Sequence, residues 1–390
     1  MLRCRAVRPV FVWELSLLIL SGASAQTYQY TVPPKLKDGW ETSSLSDEGI
    51  DVNLMRAMLE RIRTGEYKNI QSVLVIKNGK LVVEEYFPRQ EQDRREQMLR
   101  RFAPQEMTSA TKSVTSILIG IAIDQHLISG VDEKVATFFP EYADIFAGAD
   151  KARLRLRDLL SMSAGLAWDE WTRPYSDPLN DYVRMIRSDD PIRYVFELPV
   201  VAEPGTKFAY NSGLSVVLGQ IIFKVSGLRA DTFAERHLFA PLGITDHYWT
   251  KYPDEIVQAG GGLYLRPRDM AKLGQLFLNG GRWQGKQIVS EEWVRQSTEN
   301  HIDAARIPAA ARAEGYGYQW WLGSFKAGDR VVKSYSARGR GGQFIIVFPD
   351  QHMVAVFTSG ADNPLTFQPL DLLERDILPA VAALPAPSAR

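Results

Sequence analysis

Hydrophobic residues that alternate or cluster as in β-strands lie near both ends of the chain. Asn78-Gly79 stands between two runs of β-branched residues, and this arrangement is a strong signal for a two-residue hairpin turn. A second group of such runs lies toward the C-terminus. The predicted strands span 72–77, 80–86, 330–335, 343–348 and 353–358. We therefore expect the main sheet to draw strands from both chain ends.

Helical spacing of apolar residues dominates the rest of the chain. Near its start, Leu54, Met58 and Ile62 recur on one face of a helix predicted over 53–63. Further helices are predicted over 109–124, 215–225, 267–278 and 369–381. We therefore predict an α/β protein of the α+β type. Its antiparallel sheet is built from both chain ends and flanked by helices, with a mainly helical region inserted at roughly 125–300.

Composition and charge are those of an ordinary soluble domain. Of the 390 residues, 45% are hydrophobic and 24% are charged, and 46 basic residues balance 46 acidic ones. This balance does not favour nucleic acid or a strongly charged partner. We predict one folded domain over 26–390 that acts on a small molecule and has no stable membrane insertion.

The N-terminus has the features of a secretion signal over 1–25. A basic start is followed by an apolar run over 11–20, which contains Glu14, and by a small-residue cleavage site ending at Ala25. We predict export to the periplasm or the medium after cleavage near Ala25. An uncleaved anchor is the alternative, although the run is too short to span a bilayer comfortably. The one cysteine, Cys4, precedes the cleavage site, so the mature chain would have no cysteine nucleophile.

A serine and a lysine at the start of a buried helix are the clearest candidates for chemistry. The helix predicted over 109–124 is apolar on most faces, which indicates burial. Ser109 would lie in its first turn, near unpaired backbone N–H groups, and Lys112 would share its face. Because a buried lysine loses its proton more readily, Lys112 is a candidate base for the Ser109 hydroxyl. A serine N-cap followed by a surface lysine would give the same pattern.

Two further segments could complete such a site. Pro204-Gly205 makes a turn that would deliver Tyr210 just before the helix of 215–225, where its hydroxyl could relay a proton. A buried structural tyrosine is the alternative. The glycine-rich stretch 336–343 leads into a strand, and its glycines would let backbone N–H groups approach a developing oxyanion. A plain glycine turn or bulge is the alternative for that stretch.

In their order along the chain, Ser109-x-x-Lys112, Tyr210 and the glycine-rich stretch resemble the serine β-lactamase and penicillin-binding-protein superfamily, and more narrowly its class C β-lactamase-like hydrolases. The resemblance covers about residues 45–380, and its supporting stretches are 159–165, 238–244, 260–263, 268–271 and 316–321. It implies that Ser109 is the nucleophile and that Lys112 and Tyr210 transfer protons. It also implies an oxyanion hole formed by the backbone N–H groups of Ser109 and Arg340. The resemblance implies no metal or other cofactor.

Departures from the family pattern bear on the substrate. Ser212 stands where the Tyr-x-Asn motif has its asparagine, and Ala337 and Arg338 replace the lysine and threonine of Lys-Thr-Gly. These differences resemble the 6-aminohexanoate-dimer hydrolase and carboxylesterase branch, and they favour an esterase or amidase. The loop 168–171 is expected to line the pocket, and plain packing of its tryptophans is the alternative. The candidate substrate-binding residues are Ser212, Arg338, Gly339, Trp168 and Glu170.

Other catalytic patterns are missing from the sequence. There is no Gly-x-Ser-x-Gly motif of an α/β-hydrolase, and the histidines have no metal-binding spacing. We therefore predict hydrolysis of an ester or amide bond through an acyl-enzyme on Ser109. Two other functions stay open: a D-alanyl-D-alanine carboxypeptidase or weak β-lactamase, and a catalytically silent protein that binds cell-wall peptides.

Overall fold

One large sheet joins the two ends of the chain. The computed structural model describes residues 28–88, 93–304, 312–360 and 367–382. The strands are β1 Glu41–Thr42, β2 Ile70–Lys77, β3 Lys80–Tyr86, β4 Gln105–Glu106, β5 His247–Trp249, β6 Leu263–Leu265, β7 Arg282–Trp283, β8 Lys286–Gln287, β9 Ile302–Asp303, β10 Ala313–Tyr316, β11 Trp321–Ala327, β12 Arg330–Gly339, β13 Gln343–Phe348 and β14 Met353–Ser359. Within these residues, the main sheet has the order β1-β3-β2-β14-β13-β12-β11-β10-β9. The predicted sheet of both chain ends is confirmed.

The hairpin of β2 and β3 begins this sheet. Asn78 and Gly79 both have positive φ, 51° and 79°, as the predicted two-residue turn requires. Strand β2 then pairs antiparallel with β14, with Ile76 opposite Val354. This pairing ties the start of the folded chain to its end. It leaves β12 and β13 near the centre of the sheet, next to the inserted region.

Helices cover both faces of the sheet. They are α1 Val52–Arg63, α2 Arg94–Phe102, α3 Thr111–Asp124, α4 Val135–Phe138, α5 Ala143–Phe146, α6 Leu156–Leu160, α7 Asp181–Ile186, α8 Pro191–Glu197, α9 Ser212–Ser226, α10 Ala230–Ala234, α11 Pro267–Leu278, α12 Glu291–Ser297, α13 Gln368–Leu372 and α14 Leu378–Ala382. One hydrophobic core lies between the sheet and α1, α13 and α14, and the other lies between the sheet and the inserted helices. Leu54 of α1 is 43% exposed, whereas Met55 and Leu59 are buried with Met58 and Ile62. The buried stripe is therefore rotated from the predicted one.

The inserted region is mainly helical, as predicted, but it also contains short strands. Strands β4, β6 and β5 form a small sheet beside the start of α3, and β7 pairs with β8. Helix α11 has the predicted bounds, while α9 begins at Ser212, earlier than predicted. The α-helix predicted from Ser109 begins instead at Thr111. Because Thr108 has a φ of 45°, outside the right-handed helical region, a 3₁₀ turn over Thr108–Ala110 precedes α3.

The predicted signal segment 1–25, with Cys4, lies outside the described residues, so export stays a prediction. In the part of the chain that the structure describes, no single helix is long and apolar enough to span a membrane. A pair of helical segments, Ser212–Ser226 and Ala230–Phe239, meets the length and composition criteria together but is bent by 72°. Most of the first segment is buried in the protein core.

Candidate active site

Ser109 and Lys112 meet where the 3₁₀ turn passes into α3. The Lys112 Nζ lies 3.1 Å from the Ser109 Oγ and donates a 2.5 Å hydrogen bond to the Gly260 carbonyl. The position of Gly260 leaves little space for a side chain. A Cβ there would lie 2.9 Å from the Ser212 carbonyl oxygen and 3.6 Å from the Lys112 Nζ. The lysine is only 2% exposed. The predicted pair therefore faces into the protein, and Lys112 is not a surface residue.

Burial makes Lys112 a usable base. Removal from water lowers the pKa of Lys112 to about 8, and the negative charge of Glu170 opposes part of this shift. With a pKa of about 8, about a tenth of the lysine is neutral at pH 7, and the neutral fraction grows as the pH rises. A neutral amine at hydrogen-bond distance from Ser109 can accept its proton.

Tyr210 lies beside both the lysine and the serine. Its ring centroid is 4.9 Å from the Lys112 Nζ, and its backbone directly precedes Asn211, whose side chain caps α9. Burial and the charge of Glu170 raise the pKa of Tyr210, although the Ser109 and Ser212 hydroxyls oppose the shift. The phenol therefore stays protonated at neutral pH. Of the two groups beside the serine, Lys112 is better suited to accept a proton and Tyr210 to donate one.

A buried carboxylate holds the parts of this site together. Glu170 is 2% exposed and accepts four hydrogen bonds. Its donors are the Ser212 backbone N–H at 2.8 Å, the Ser212 Oγ at 2.6 Å, the Tyr175 hydroxyl at 2.7 Å and the Trp168 indole N–H at 3.0 Å. Ser212 is the first residue of α9, and Tyr210 lies just before it in the chain. The hydrogen bonds of Glu170 to Ser212 therefore also help to hold the backbone of Tyr210 in place. Such a filled hydrogen-bond shell is what a buried charge requires.

A cavity of about 180 Å³ opens onto Ser109. Its walls combine predicted residues with residues that the sequence did not single out. The lining residues are Glu106, Thr108, Ser109, Glu170, Tyr175, Tyr182, Ser212, Gln258, Gly260, Gly261 and Arg340. Glu106, Tyr175, Tyr182 and Gln258 are the new ones. Only Glu106, close before Ser109 in the chain, carried a sequence signal that could have drawn attention to it.

The end of β12 packs directly against the turn that carries Ser109. A Cβ at Gly339 would lie 2.2 Å from the Thr108 Oγ1 and 2.3 Å from the Met107 carbonyl oxygen, so only glycine fits. The Thr108 Oγ1 also donates a 3.2 Å hydrogen bond to the Arg340 carbonyl. The structure therefore brings Ser109 and Arg340 to one wall of the cavity. The oxyanion hole that their N–H groups would form stays a prediction.

Three predicted substrate-binding residues, Arg338, Gly339 and Trp168, are not among the residues that line the cavity. Arg338 lies on the opposite face of β12 from Gly339, because side chains alternate along a strand. Its Nε donates a 2.8 Å hydrogen bond to the Ser336 Oγ, and its guanidinium lies over the Trp321 ring. Trp168 is buried, and its indole N–H donates a hydrogen bond to Glu170, which does line the cavity.

Comparison with known proteins identifies the family of this chain. The family model described as Beta-lactamase matches residues 70–377. A 6-aminohexanoate-dimer hydrolase of Paenarthrobacter ureafaciens is 28% identical over 286 residues, which are 68% of this chain and 69% of the relative. A lovastatin esterase of Penicillium rubens is 27% identical over 194 residues. These residues are 45% of this chain and 46% of the relative, so this chain spans about half of that relative's length.

Among solved structures, the putative 6-aminohexanoate-dimer hydrolase from Bacillus anthracis has a similar fold. It superposes with a TM-score of 0.64 at 22% sequence identity. The match covers 83% of this chain and 82% of the other. A large, mostly antiparallel sheet flanked by helices is thus shared with a known structure.

Proposed function

This chain belongs to the beta-lactamase family, and on that premise we propose that it is a serine hydrolase that cleaves an ester or amide bond. The family resemblance of its motifs is confirmed by the matched model. The observation that carries the proposal is the 3.1 Å contact between the Ser109 Oγ and the Nζ of a lysine buried from water. Relatives named as an amide-dimer hydrolase and an esterase support a hydrolase of this kind.

The proposed reaction has two steps. Neutral Lys112 accepts the proton of the Ser109 hydroxyl while the Oγ attacks the substrate carbonyl, and the backbone N–H groups of Ser109 and Arg340 stabilise the oxyanion. Tyr210 donates a proton to the leaving alcohol or amine, and an acyl-enzyme remains on Ser109. Water then attacks the acyl-enzyme and gives a proton to the deprotonated Tyr210 oxygen, while Lys112 returns its proton to the Ser109 oxygen and the acid is released.

The surroundings of the site support an ester or amide substrate like those named for the relatives. In place of the family asparagine, Ser212 directs its hydroxyl to Glu170. Arg338 is not among the residues that line the cavity, which argues against its use in place of the missing lysine of Lys-Thr-Gly. Both features weigh against a D-alanyl-D-alanine carboxypeptidase or β-lactamase. A lysine with a pKa lowered to about 8 beside a serine weighs against a catalytically silent binding protein.

Hydrolysis of four substrates tests this proposal. The substrates are a short-chain p-nitrophenyl ester, a 6-aminohexanoate dimer, a D-Ala-D-Ala peptide and a chromogenic cephalosporin. We expect the ester or the linear amide to have the highest kcat/KM, and we expect Ser109→Ala to abolish its turnover. Highest kcat/KM for the peptide or the cephalosporin would instead support the cell-wall function. No serine-dependent turnover would support the binding protein.

Gly339→Ala is expected to lower kcat/KM by roughly 100-fold while the protein stays folded, because the new Cβ would push the Ser109 turn away from β12. Gly148→Ala is the matched control, since a Cβ at Gly148 meets nothing within 4 Å. Ester hydrolysis and thermal unfolding are measured for both variants. Unchanged kcat/KM in Gly339→Ala would show that this contact does not position the nucleophile.

A further inference from the structure

The cavity continues into a row of side chains that the proposed mechanism does not use. In the small sheet, Glu106 of β4 pairs with Tyr264 of β6, and Tyr264 pairs with Tyr248 of β5. Residues paired across strands share one face, so the three side chains stand side by side. Tyr248 is 60% exposed, and its ring centroid lies 5.7 Å from that of Tyr264. One carboxylate and two aromatic rings thus lead from the cavity to solvent.

Glu106 is the cavity carboxylate that has room for a ligand. The oxygens of Glu170 already accept four hydrogen bonds, whereas Glu106 interacts with the Tyr264 hydroxyl and, through charge alone, with Arg340. Partial burial raises the pKa of Glu106, while the charge of Arg340 and the hydrogen bond with Tyr264 oppose this shift. The guanidinium of Arg340 lies over the Tyr175 ring, 5.1 Å from its centroid.

We propose that Glu106, Tyr264 and Tyr248 form a subsite for a positively charged ammonium group of the substrate. A carboxylate supplies the opposing charge, and the faces of tyrosine rings attract cations that have left water. The ring of Tyr248, exposed beyond the carboxylate, suits a group that enters from solvent. The use of this subsite in hydrolysis rests on the proposed function, whereas ammonium binding by itself does not.

Two pairs of substrates test the subsite. The two members of a pair have the same shape, but one has a positively charged quaternary nitrogen where the other has a neutral carbon atom. One pair carries the charge on the leaving group: acetylthiocholine and 3,3-dimethylbutyl thioacetate. The other carries it on the acyl group: the p-nitrophenyl esters of 4-(trimethylammonio)butyrate and 5,5-dimethylhexanoate. In at least one pair, we expect kcat/KM of the cationic member to be about tenfold higher. The pair that shows the preference identifies the side of the scissile bond that Glu106 faces.

Two variants that remove side chains of opposite charge are expected to change the cationic preference in opposite directions. Glu106→Gln is expected to abolish the cationic preference and to leave the neutral esters unaffected. Arg340→Ala is expected to increase the preference, because it removes a like charge from the ammonium. Glu292→Gln, which removes an exposed carboxylate of α12, is the control. Absence of a preference in both pairs, or a preference that survives Glu106→Gln, would overturn the proposal.

Binding without turnover separates the subsite from the proposed function. Choline is titrated into the Ser109→Ala protein and followed by calorimetry, with and without Glu106→Gln. Glu106-dependent binding in the millimolar range is expected. Such binding, together with no ester hydrolysis by the protein that retains Ser109, would keep the subsite and refute the serine hydrolase. Choline binding that is absent or independent of Glu106 would refute the subsite, whether or not the esters are cleaved.

Discussion

Ser109→Ala is expected to lower kcat by roughly 10⁴-fold or more, because the acyl-enzyme cannot form without the Oγ. The stability of the protein should change little, since the Oγ interacts only with polar groups of the site itself in the described residues, the Lys112 Nζ and the Tyr210 hydroxyl. Release of p-nitrophenol from a short-chain ester, with the uncatalysed rate subtracted, measures the loss. Thermal unfolding of the same samples measures stability.

Ser116→Ala is the matched control for this variant. Ser116 lies on the same helix, α3, and is fully buried, but its hydroxyl has no hydrogen-bond partner among the described residues. Its removal should therefore leave kcat unchanged. Comparable activity in Ser109→Ala and in this control would mean that another residue is the nucleophile.

Substitution of Lys112 by alanine is expected to lower kcat by roughly 10²- to 10⁴-fold, the usual contribution of a general base. Lys112→Arg should be about as inactive, because a guanidinium keeps the positive charge but does not give up its proton near neutral pH. The two variants together separate proton transfer from simple electrostatic attraction. An arginine variant with nearly full activity would show that the charge of Lys112, and not its basicity, is what the reaction needs.

The pH profile gives a second measurement on the same residue. Because the neutral amine is the active form, kcat/KM should rise with pH and level off above an apparent pKa of about 8. Lys112→Arg should lose this rise. The groups that face Lys112 are Glu170, whose charge raises its pKa, and Tyr210, which stays protonated over the same range. Activity that falls with rising pH through this range would contradict the assignment of Lys112 as the base.

The sequence predicted those elements whose structure is determined by a few neighbouring residues. Asn78-Gly79 has the dihedral angles of the turn it was predicted to make, and α11 starts at Pro267, a residue suited to the first helical position. Strand β11, Trp321–Ala327, was not predicted, although its burial alternates along the chain. Gly323 and Ser324 weaken its β-strand signal, so the pairing with β12 decides the structure there.

In the candidate site, too, some features were predicted from local sequence and others depend on the tertiary fold. The spacing of Ser109 and Lys112 placed them on one face, and the structure brings them together with Tyr210. The contact between Lys112 and the Gly260 carbonyl depends on the tertiary fold and has no local signal. Arg338 was a candidate for substrate binding because it stands at the threonine position of Lys-Thr-Gly, and the sequence did not give the direction of its side chain. Strand β12 runs to Gly339, and its alternation turns Arg338 to the far face.

Labelling with a fluorophosphonate, read by mass spectrometry of the digested protein, tests the central claim most directly. The reagent adds a stable phosphonyl group to an activated serine oxygen. We predict one modified peptide, which contains Ser109, with no label in Ser109→Ala and slow labelling in Lys112→Ala. Absence of label from the wild-type protein, or label on a residue other than Ser109, would contradict the assignment of Ser109 as an activated nucleophile.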